Sequence, residues 1–244
     1  VRWNDPTRDF VSTNELIQLA EDAGLITEIT NFVCGTAMKE FRAWQQARLA
    51  HGLRLAINIS GIEVRDGVLP AMLRDHVREA GLSMSMVVLE LTESGLMFSV
   101  IVATQLLSDL REEGVRVSVH DFGTGYSSLG RLQRLPVDVL KIDKAFVEDI
   151  GTGAKQGALV RAIVMMAHSL DLTVVAEGVE TEVQRAFLER HGCDLYQGHL
   201  LSPPLPASKM EQYLRERHAM QSVVSRVRKT RARTSSISAR TVEP

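Results

Sequence analysis

Residues 86–121, MVVLELTESGLMFSVIVATQLLSDLREEGVRVSVHD, contain the pattern that decides the fold. Residues 86–92 and 115–120 are short runs rich in β-branched and aliphatic side chains, which is typical of strands. Between them, apolar side chains recur at spacings of three and four near residues 100–113, which predicts an amphipathic helix. A strand, a helix and another strand in this order indicate parallel strands joined by a helical crossover.

The same unit recurs on both sides of this stretch. Further strand-like runs are 53–60, 137–142, 172–177 and a weaker one at 193–198. Helices are predicted near 69–80, 127–134, 157–170, 181–191 and 207–217, and a capping box at Ser12 and Glu15 begins an earlier one. This alternation predicts a parallel sheet, either doubly wound or closed as a (β/α)8 barrel. Because a barrel needs eight strands, the barrel interpretation places the first strand and most of the second upstream of Val1.

Composition and charge narrow the class of protein. A chain of 244 residues with 45% hydrophobic residues is long enough for one large barrel domain. The net charge of -2 argues against a polyanion-binding protein on charge alone. No apolar run reaches the roughly 18 residues that a membrane-spanning helix needs. The two cysteines, Cys34 and Cys193, are predicted to be buried thiols of a reducing compartment.

The last part of the chain differs from the rest. From about Gln221 it is basic, rich in serine and threonine, and almost without large apolar residues. We therefore predict a barrel domain over residues 1–217 and a disordered tail over 218–244. A solvated tail is the favoured interpretation, and a weak contact with nucleic acid or anionic lipid is the alternative.

Polar side chains stand near the carboxyl end of every predicted strand. They are Asn58 and Ser60, Glu90 and Glu93, His120 and Asp121, Lys141 and Asp143, Glu177 and Glu180, and Gln197 with Gly198. Any single one could be a satisfied polar group of the core. Six sets at the same end fit better with the mouth of a barrel, where active sites are built. An asparagine, several carboxylates and a lysine at one mouth suit hard divalent cations.

The segment after the third predicted strand end adds a second indication. Residues 121–128, DFGTGYSS, are rich in glycine and small hydroxyl residues and lead directly into a predicted helix. Free N–H groups at a helix N-terminus favour phosphate, although such a loop could also be a plain turn. Beside a metal-type cluster, the loop indicates a phosphate ester substrate.

These motifs together resemble those of the EAL domain family. The matching stretches are Asn58-Ile59-Ser60, Glu90-Leu91-Thr92-Glu93, residues 121–129, Leu135-Pro136-Val137-Asp138, Lys141-Ile142-Asp143, residues 176–181 and Gln197-Gly198. The resemblance implies a (β/α)8 TIM-like barrel of EAL type with one strand antiparallel to the others. It also implies a bacterial second-messenger domain that opens cyclic-di-GMP to pGpG with Mg²⁺ or Mn²⁺, acting in the cytoplasm and as a homodimer. An upstream sensor or cyclase domain, with membrane tethering of the parent protein, would fit the same resemblance.

The resemblance further implies roles for individual residues. Asn58, Glu90 and Asp121 would be metal ligands, and Glu177 would be a ligand or a water-activating carboxylate. Lys141 would position the attacking water, and Glu180 would hold Lys141. Glu93 would anchor the 123–128 loop, which in the family also contributes to dimer contacts. The residues expected to contact the ligand are Arg2, Gln197, Asp143 and Gly178. In the two-metal scheme, the cations lower the pKa of a bound water and clamp the reacting oxygens.

Two departures from the family pattern bear on activity. The name-giving glutamate of the family is expected three residues before Val1, outside this chain. His120 stands where intact members have an aspartate that bridges two metals, and a neutral imidazole offers one lone pair and no negative charge. We therefore expect weak or absent hydrolysis, although His120 could instead bind one metal itself. The alternatives are a non-catalytic cyclic-di-GMP receptor that signals through a dimer and a protein-interaction scaffold without ligand.

Overall fold

The computed structural model of the chain describes residues 12–97, 100–122, 132–151, 157–217 and 219. The predictions for Arg2, for the loop 123–128, for most of the helix near 127–134 and for nearly all of the tail concern residues outside these ranges. Within them the chain divides into two compact units. The first contains the residues up to 42 together with 53–203, and the second contains 43–52 and the residues from 204 onward.

The first unit is built on a six-stranded parallel sheet. Its strands are β1 Leu55–Asn58, β2 Val87–Thr92, β3 Arg116–Phe122, β4 Val139–Ile142, β5 Thr173–Ala176 and β6 Leu195–Tyr196. They lie in the sheet in chain order, and each described pair is parallel. A doubly wound sheet reverses its strand order at a switch point, and this order does not reverse. The sheet is therefore barrel wall, and the antiparallel strand that the resemblance implied is not among the described strands.

Helices connect the strands, as the repeating pattern predicts. They are α1 Thr13–Asp22, α2 Ile26–Gln46, α3 Gly61–Asp66, α4 Leu69–Ala80, α5 Glu93–Met97, α6 Val100–Glu112, α7 Lys144–Glu148, α8 Ala158–His168 and α9 Glu182–Arg190. In the second unit, residues 207–217 form a further helix, α10. Ser12 caps α1 by accepting a hydrogen bond from the backbone N–H of Glu15. Among the described residues, no helix combines the length and apolar character that crossing a membrane requires.

The core of the first unit lies between the sheet and its helices. Alternate residues of β2 and β3 that face the helices, including Leu89, Leu91 and Val117, are fully buried. Side chains of a strand alternate between its two faces, so the intervening residues lie on the opposite face, called the inner face below. Burying one large aliphatic side chain contributes about 1.5–3 kcal/mol to the free energy of folding. The buried aliphatic residues thereby fix the orientation of each strand, and with it the side chains that lie on the inner face. Cys34 and Cys193 are both buried free thiols, as predicted.

Candidate functional site

The inner face carries the polar side chains that the sequence places at the strand ends. Register partners on neighbouring parallel strands share a face, and Asn58 of β1 is the partner of Glu90 of β2. Glu90 is in turn the partner of Ser118 of β3, while Thr92 is the partner of His120. The pairing of buried aliphatic residues between them thus brings residues from distant parts of the sequence to one surface.

Lys141 is the centre of this surface. Its side chain is 6% exposed, and its ammonium lies 2.9 Å from Oε2 of Glu90 and 2.5 Å from Oε1 of Glu177. Burial opposes the charged form, but the carboxylates of Glu90 and Glu177 outweigh it and raise the pKa of Lys141 above its ordinary value. The lysine is therefore protonated and links β2, β4 and the end of β5 through one charge.

Gln197 extends the cluster to the end of β6. Its side-chain amide donates a hydrogen bond of 3.0 Å to Oε1 of Glu177. The backbone holds both residues in place, because the N–H of Glu177 donates to the carbonyl of Ile142 and the N–H of Gln197 donates to the carbonyl of Ala176. Four of the predicted site residues, Glu90, Lys141, Glu177 and Gln197, therefore form one continuous hydrogen-bonded set.

The expectation that Glu180 holds Lys141 is wrong in this structure. Glu180 instead contacts Lys144 at the start of α7, with 2.8 Å between the ammonium and Oε1. This contact, first through its hydrogen bond and then through its charge, lowers the pKa of Glu180. Gly178, with φ +67°, lies so close to Lys144 that an added Cβ would come within 2.3 Å of its Cγ. The turn after β5 thus packs against the side chain of Lys144. Lys141 instead contacts the carboxylates of Glu90 and Glu177.

Asp143 has a structural contact that the sequence did not indicate. Its Oδ1 accepts a hydrogen bond of 2.7 Å from the backbone N–H of Ala145, so that Asp143 caps α7. Its role toward a ligand stays a prediction, as does that of Gly178 in the neighbouring turn.

The remaining predicted residues are placed in part. Asn58 is exposed at the end of β1, and His120 is half-buried in β3. Asp121 follows it in the same strand, but its side chain is outside the described part of the structure. Glu93 begins α5, and the loop that it is predicted to anchor is likewise outside that part. Arg2 is also outside the described part of the structure.

Two residues of this region escaped the sequence analysis. Lys144 was missed because it follows the strand-end residues and reads as an ordinary helix residue. Ser118 is 1% exposed on the inner face, and its hydroxyl has no hydrogen-bond partner among the described residues. Its position two residues before His120 in an otherwise apolar strand was the available signal, because alternation puts both side chains on one face.

The donor types at the site fit a hard divalent cation. Asn58 offers an amide oxygen and Glu90 and Glu177 offer carboxylate oxygens, which are the ligands that Mg²⁺ and Mn²⁺ prefer. In the arrangement of the described residues, however, no three histidine, cysteine or acidic side chains are placed together to hold a metal. The positive charge between the two glutamates is supplied by Lys141.

A parallel barrel wall with a carboxylate–lysine cluster at its carboxyl end defines a class of α/β barrels whose functional site lies at that end. Comparison with known proteins makes the class specific, because the EAL domain model matches residues 1–204. The chain belongs to the EAL domain family.

Similar proteins support the same assignment. The chain is 41% identical over 215 residues to the cyclic di-GMP phosphodiesterase NbdA of Pseudomonas aeruginosa. The aligned region covers 88% of this chain and 27% of NbdA. The chain is 38% identical over 210 residues to MucR of the same organism, a bifunctional diguanylate cyclase/cyclic di-GMP phosphodiesterase, covering 86% of the chain and 30% of MucR. The chain thus spans about a third or less of the length of these two relatives.

A solved structure shows the same fold. The PaMucR phosphodiesterase in complex with c-di-GMP superposes with a TM-score of 0.80 at 37% identity, covering 86% of this chain and 84% of that one. The predicted EAL-type barrel is thereby confirmed.

Proposed function

We propose that this chain is a cyclic-di-GMP signalling domain that binds the dinucleotide at the carboxyl end of its sheet and hydrolyses it weakly or not at all. The observation that carries the proposal is the cluster of Glu90, Lys141, Glu177 and Gln197 on the inner face, in a chain of the EAL family. The c-di-GMP complex of PaMucR supports the choice of ligand, because a related domain of the same fold binds it.

Each residue of the cluster has a role that its chemistry supports. Asn58, Glu90 and Glu177, together with Asp121, would hold Mg²⁺ or Mn²⁺, which supplies a more acidic bound water and polarises the phosphodiester. Lys141 is protonated, and its ammonium would offset negative charge on the phosphoryl group. Gln197 restrains the carboxylate of Glu177 and lies at the rim, where its amide can face a ligand. In the proposal, Arg2 would bind a phosphate, and Asp143 and Gly178 would line the ligand.

His120 is the reason to expect weak turnover. It lies at the carboxyl end of β3, next to Thr92 of β2 in register. A carboxylate there could hold one cation on each oxygen, whereas an imidazole offers a single lone pair and no charge. A second metal would therefore bind poorly, and the in-line displacement would lose one of its two clamps.

A binding assay and a product assay together test the proposal. The protein is titrated with cyclic-di-GMP in a calorimeter, and pGpG is measured after incubation with Mn²⁺. We expect binding with little pGpG, and we expect His120→Asp to form pGpG faster than the native chain. Absence of binding would refute the proposal and favour an interaction scaffold, whereas rapid pGpG formation by the native chain would refute its catalytic part.

A homodimer is the second part of the proposal. On α8, the large apolar side chains of Leu159 and Met165 are 54% and 66% exposed, although the helix also packs on the core. We propose that a second copy covers this face and that the dimer transmits the binding signal. Met165→Glu should lower the mass measured by light scattering toward that of the monomer, and an unchanged dimer would contradict this surface.

The cellular setting is also part of the proposal. NbdA and MucR are bacterial proteins that are longer than this chain, and MucR combines a cyclase with a phosphodiesterase. We propose that this domain acts in the bacterial cytoplasm within a protein that has an upstream sensor or cyclase domain.

The proposal also gives a role to Glu93. Glu93 would anchor the loop 123–128, and this loop would also contribute to the dimer contact.

A further inference from the structure

The ammonium of Lys141 contacts both of the glutamates that are proposed as metal ligands. It contacts Oε2 of Glu90 at 2.9 Å and Oε1 of Glu177 at 2.5 Å. The glutamate side chains are only 14% and 19% exposed, so water screens neither contact strongly. One cation is thus shared between two partly buried carboxylates, one in strand β2 and one directly after strand β5.

Two carboxylates that contact one ammonium would repel each other without it. Either an ammonium or a metal ion can supply the positive charge between them, but the two cations would repel each other strongly at this distance, where water is scarce. Lys141 belongs to strand β4. In the described structure, its ammonium makes polar contacts with these two glutamates only. Nothing else in the described residues holds the ammonium in place.

We propose that Lys141 is a resident cation that competes with divalent metal for Glu90 and Glu177. In the metal-free protein it satisfies the two carboxylates, and metal binds at them only when the ammonium withdraws. The lysine therefore keeps the folded domain intact without metal and at the same time lowers its affinity for metal. The inference rests on the proposed function only in taking these glutamates as the metal ligands.

The proposal predicts a gain on removing the lysine charge. In Lys141→Met, both glutamates lose the ammonium, and Glu177 keeps only the neutral amide of Gln197. A metal ion can then supply the positive charge that the ammonium supplied. We expect Mn²⁺ to bind this variant at least about tenfold more tightly than it binds the native chain, because a like charge a few ångströms away no longer opposes the metal ion. Lys39→Met, which removes the same charge from an exposed position on α2, is the matched control and should leave the Mn²⁺ affinity unchanged.

The test uses Mn²⁺ alone, without cyclic-di-GMP, in calorimetric titrations and in thermal unfolding at increasing Mn²⁺ concentration. Unfolding temperature is included because Lys141→Met can be destabilised without metal, since it leaves two charges uncompensated. The expected result is a steeper rise of the unfolding temperature with Mn²⁺ in Lys141→Met than in the native chain.

Three results would overturn the proposal. They are equal or weaker Mn²⁺ affinity in Lys141→Met, absence of Mn²⁺ binding in both proteins, and a variant that stays unfolded at every Mn²⁺ concentration. A native chain that fails to bind cyclic-di-GMP would refute the proposed function without touching this result. A chain that binds cyclic-di-GMP but shows no gain in Lys141→Met would refute only the competition.

Discussion

Glu63 provides a stability prediction that can be worked out from its surroundings. Its side chain is fully buried at the start of α3, where it completes a capping box with Ser60. Its Oε2 accepts hydrogen bonds of 3.0 Å from the backbone N–H of Ser60 and from the hydroxyl of Thr30. The other oxygen, Oε1, has no partner among the described residues. Burial outweighs the two hydrogen bonds, and the pKa of Glu63 is raised above the ordinary carboxyl value of 4.5.

The direction of the pH dependence follows from the raised pKa. At low pH the carboxyl is protonated in both the folded and the unfolded chain. As the pH rises through the ordinary value, the unfolded chain releases its proton first and the folded chain retains it. The free energy of unfolding contributed by Glu63 therefore falls with rising pH until the folded-state pKa is passed.

The substitution Glu63→Gln removes this ionisation and keeps the shape and the acceptor oxygen. At neutral pH we expect the variant to be more stable than the native chain by about 1–3 kcal/mol, because a neutral amide avoids the free energy of ionising a carboxyl whose pKa burial has raised. Below the ordinary carboxyl pKa the two proteins should have nearly equal stability. Urea unfolding from about pH 4 to about pH 8 measures the difference at each pH.

Glu28→Gln is the matched control, because Glu28 is an exposed glutamate on α2. Its stability difference from the native chain should stay small over the same pH range. A Glu63→Gln difference that is flat across the range, or that favours the native chain more as pH rises, would refute the reasoning.

Three further predictions concern packing and the buried thiols. Gly61→Ala should lower the free energy of unfolding by about 1–3 kcal/mol, because its Cβ would lie 2.5 Å from the carbonyl oxygen of Gly95, and urea unfolding that shows no loss would contradict this contact. Ser118→Ala should leave stability unchanged or raise it by about 1 kcal/mol, because it removes a buried hydroxyl without a described partner; a large loss in the same assay would reveal one. Burial raises the pKa of Cys34 to about 12, with a contribution from the nearby Glu63, and raises the pKa of Cys193 to about 11. Neither thiol should therefore react with iodoacetamide at about pH 8 until urea is added. Rapid labelling of the folded protein would contradict their burial.

The strands and most helices follow from local patterns in the sequence. Leu89 and Leu91 alternate with Glu90 and Thr92, and this period of two already indicates which side chains face the helices. Helix α4, Leu69–Ala80, has the bounds that its apolar spacing predicts. The sixth strand was the weakest pattern and has only two residues, Leu195–Tyr196.

The pairing of charges at the site could not be read from the sequence. Lys141 and Lys144 are three residues apart, and so are Glu177 and Glu180, so spacing alone allows either lysine to meet either glutamate. The structure pairs the first members with each other and the second members with each other, because Lys141 is on the inner face of β4 whereas Lys144 lies beyond the cap of α7. Three-dimensional placement decided what residue types could not.

A crystal structure of the chain with cyclic-di-GMP tests the central claim most directly. The account predicts that the dinucleotide lies over the carboxyl ends of the strands, with its phosphates beside Glu90, Lys141 and Glu177. A dinucleotide bound elsewhere on the domain, with this cluster unchanged and solvent-filled, would contradict it.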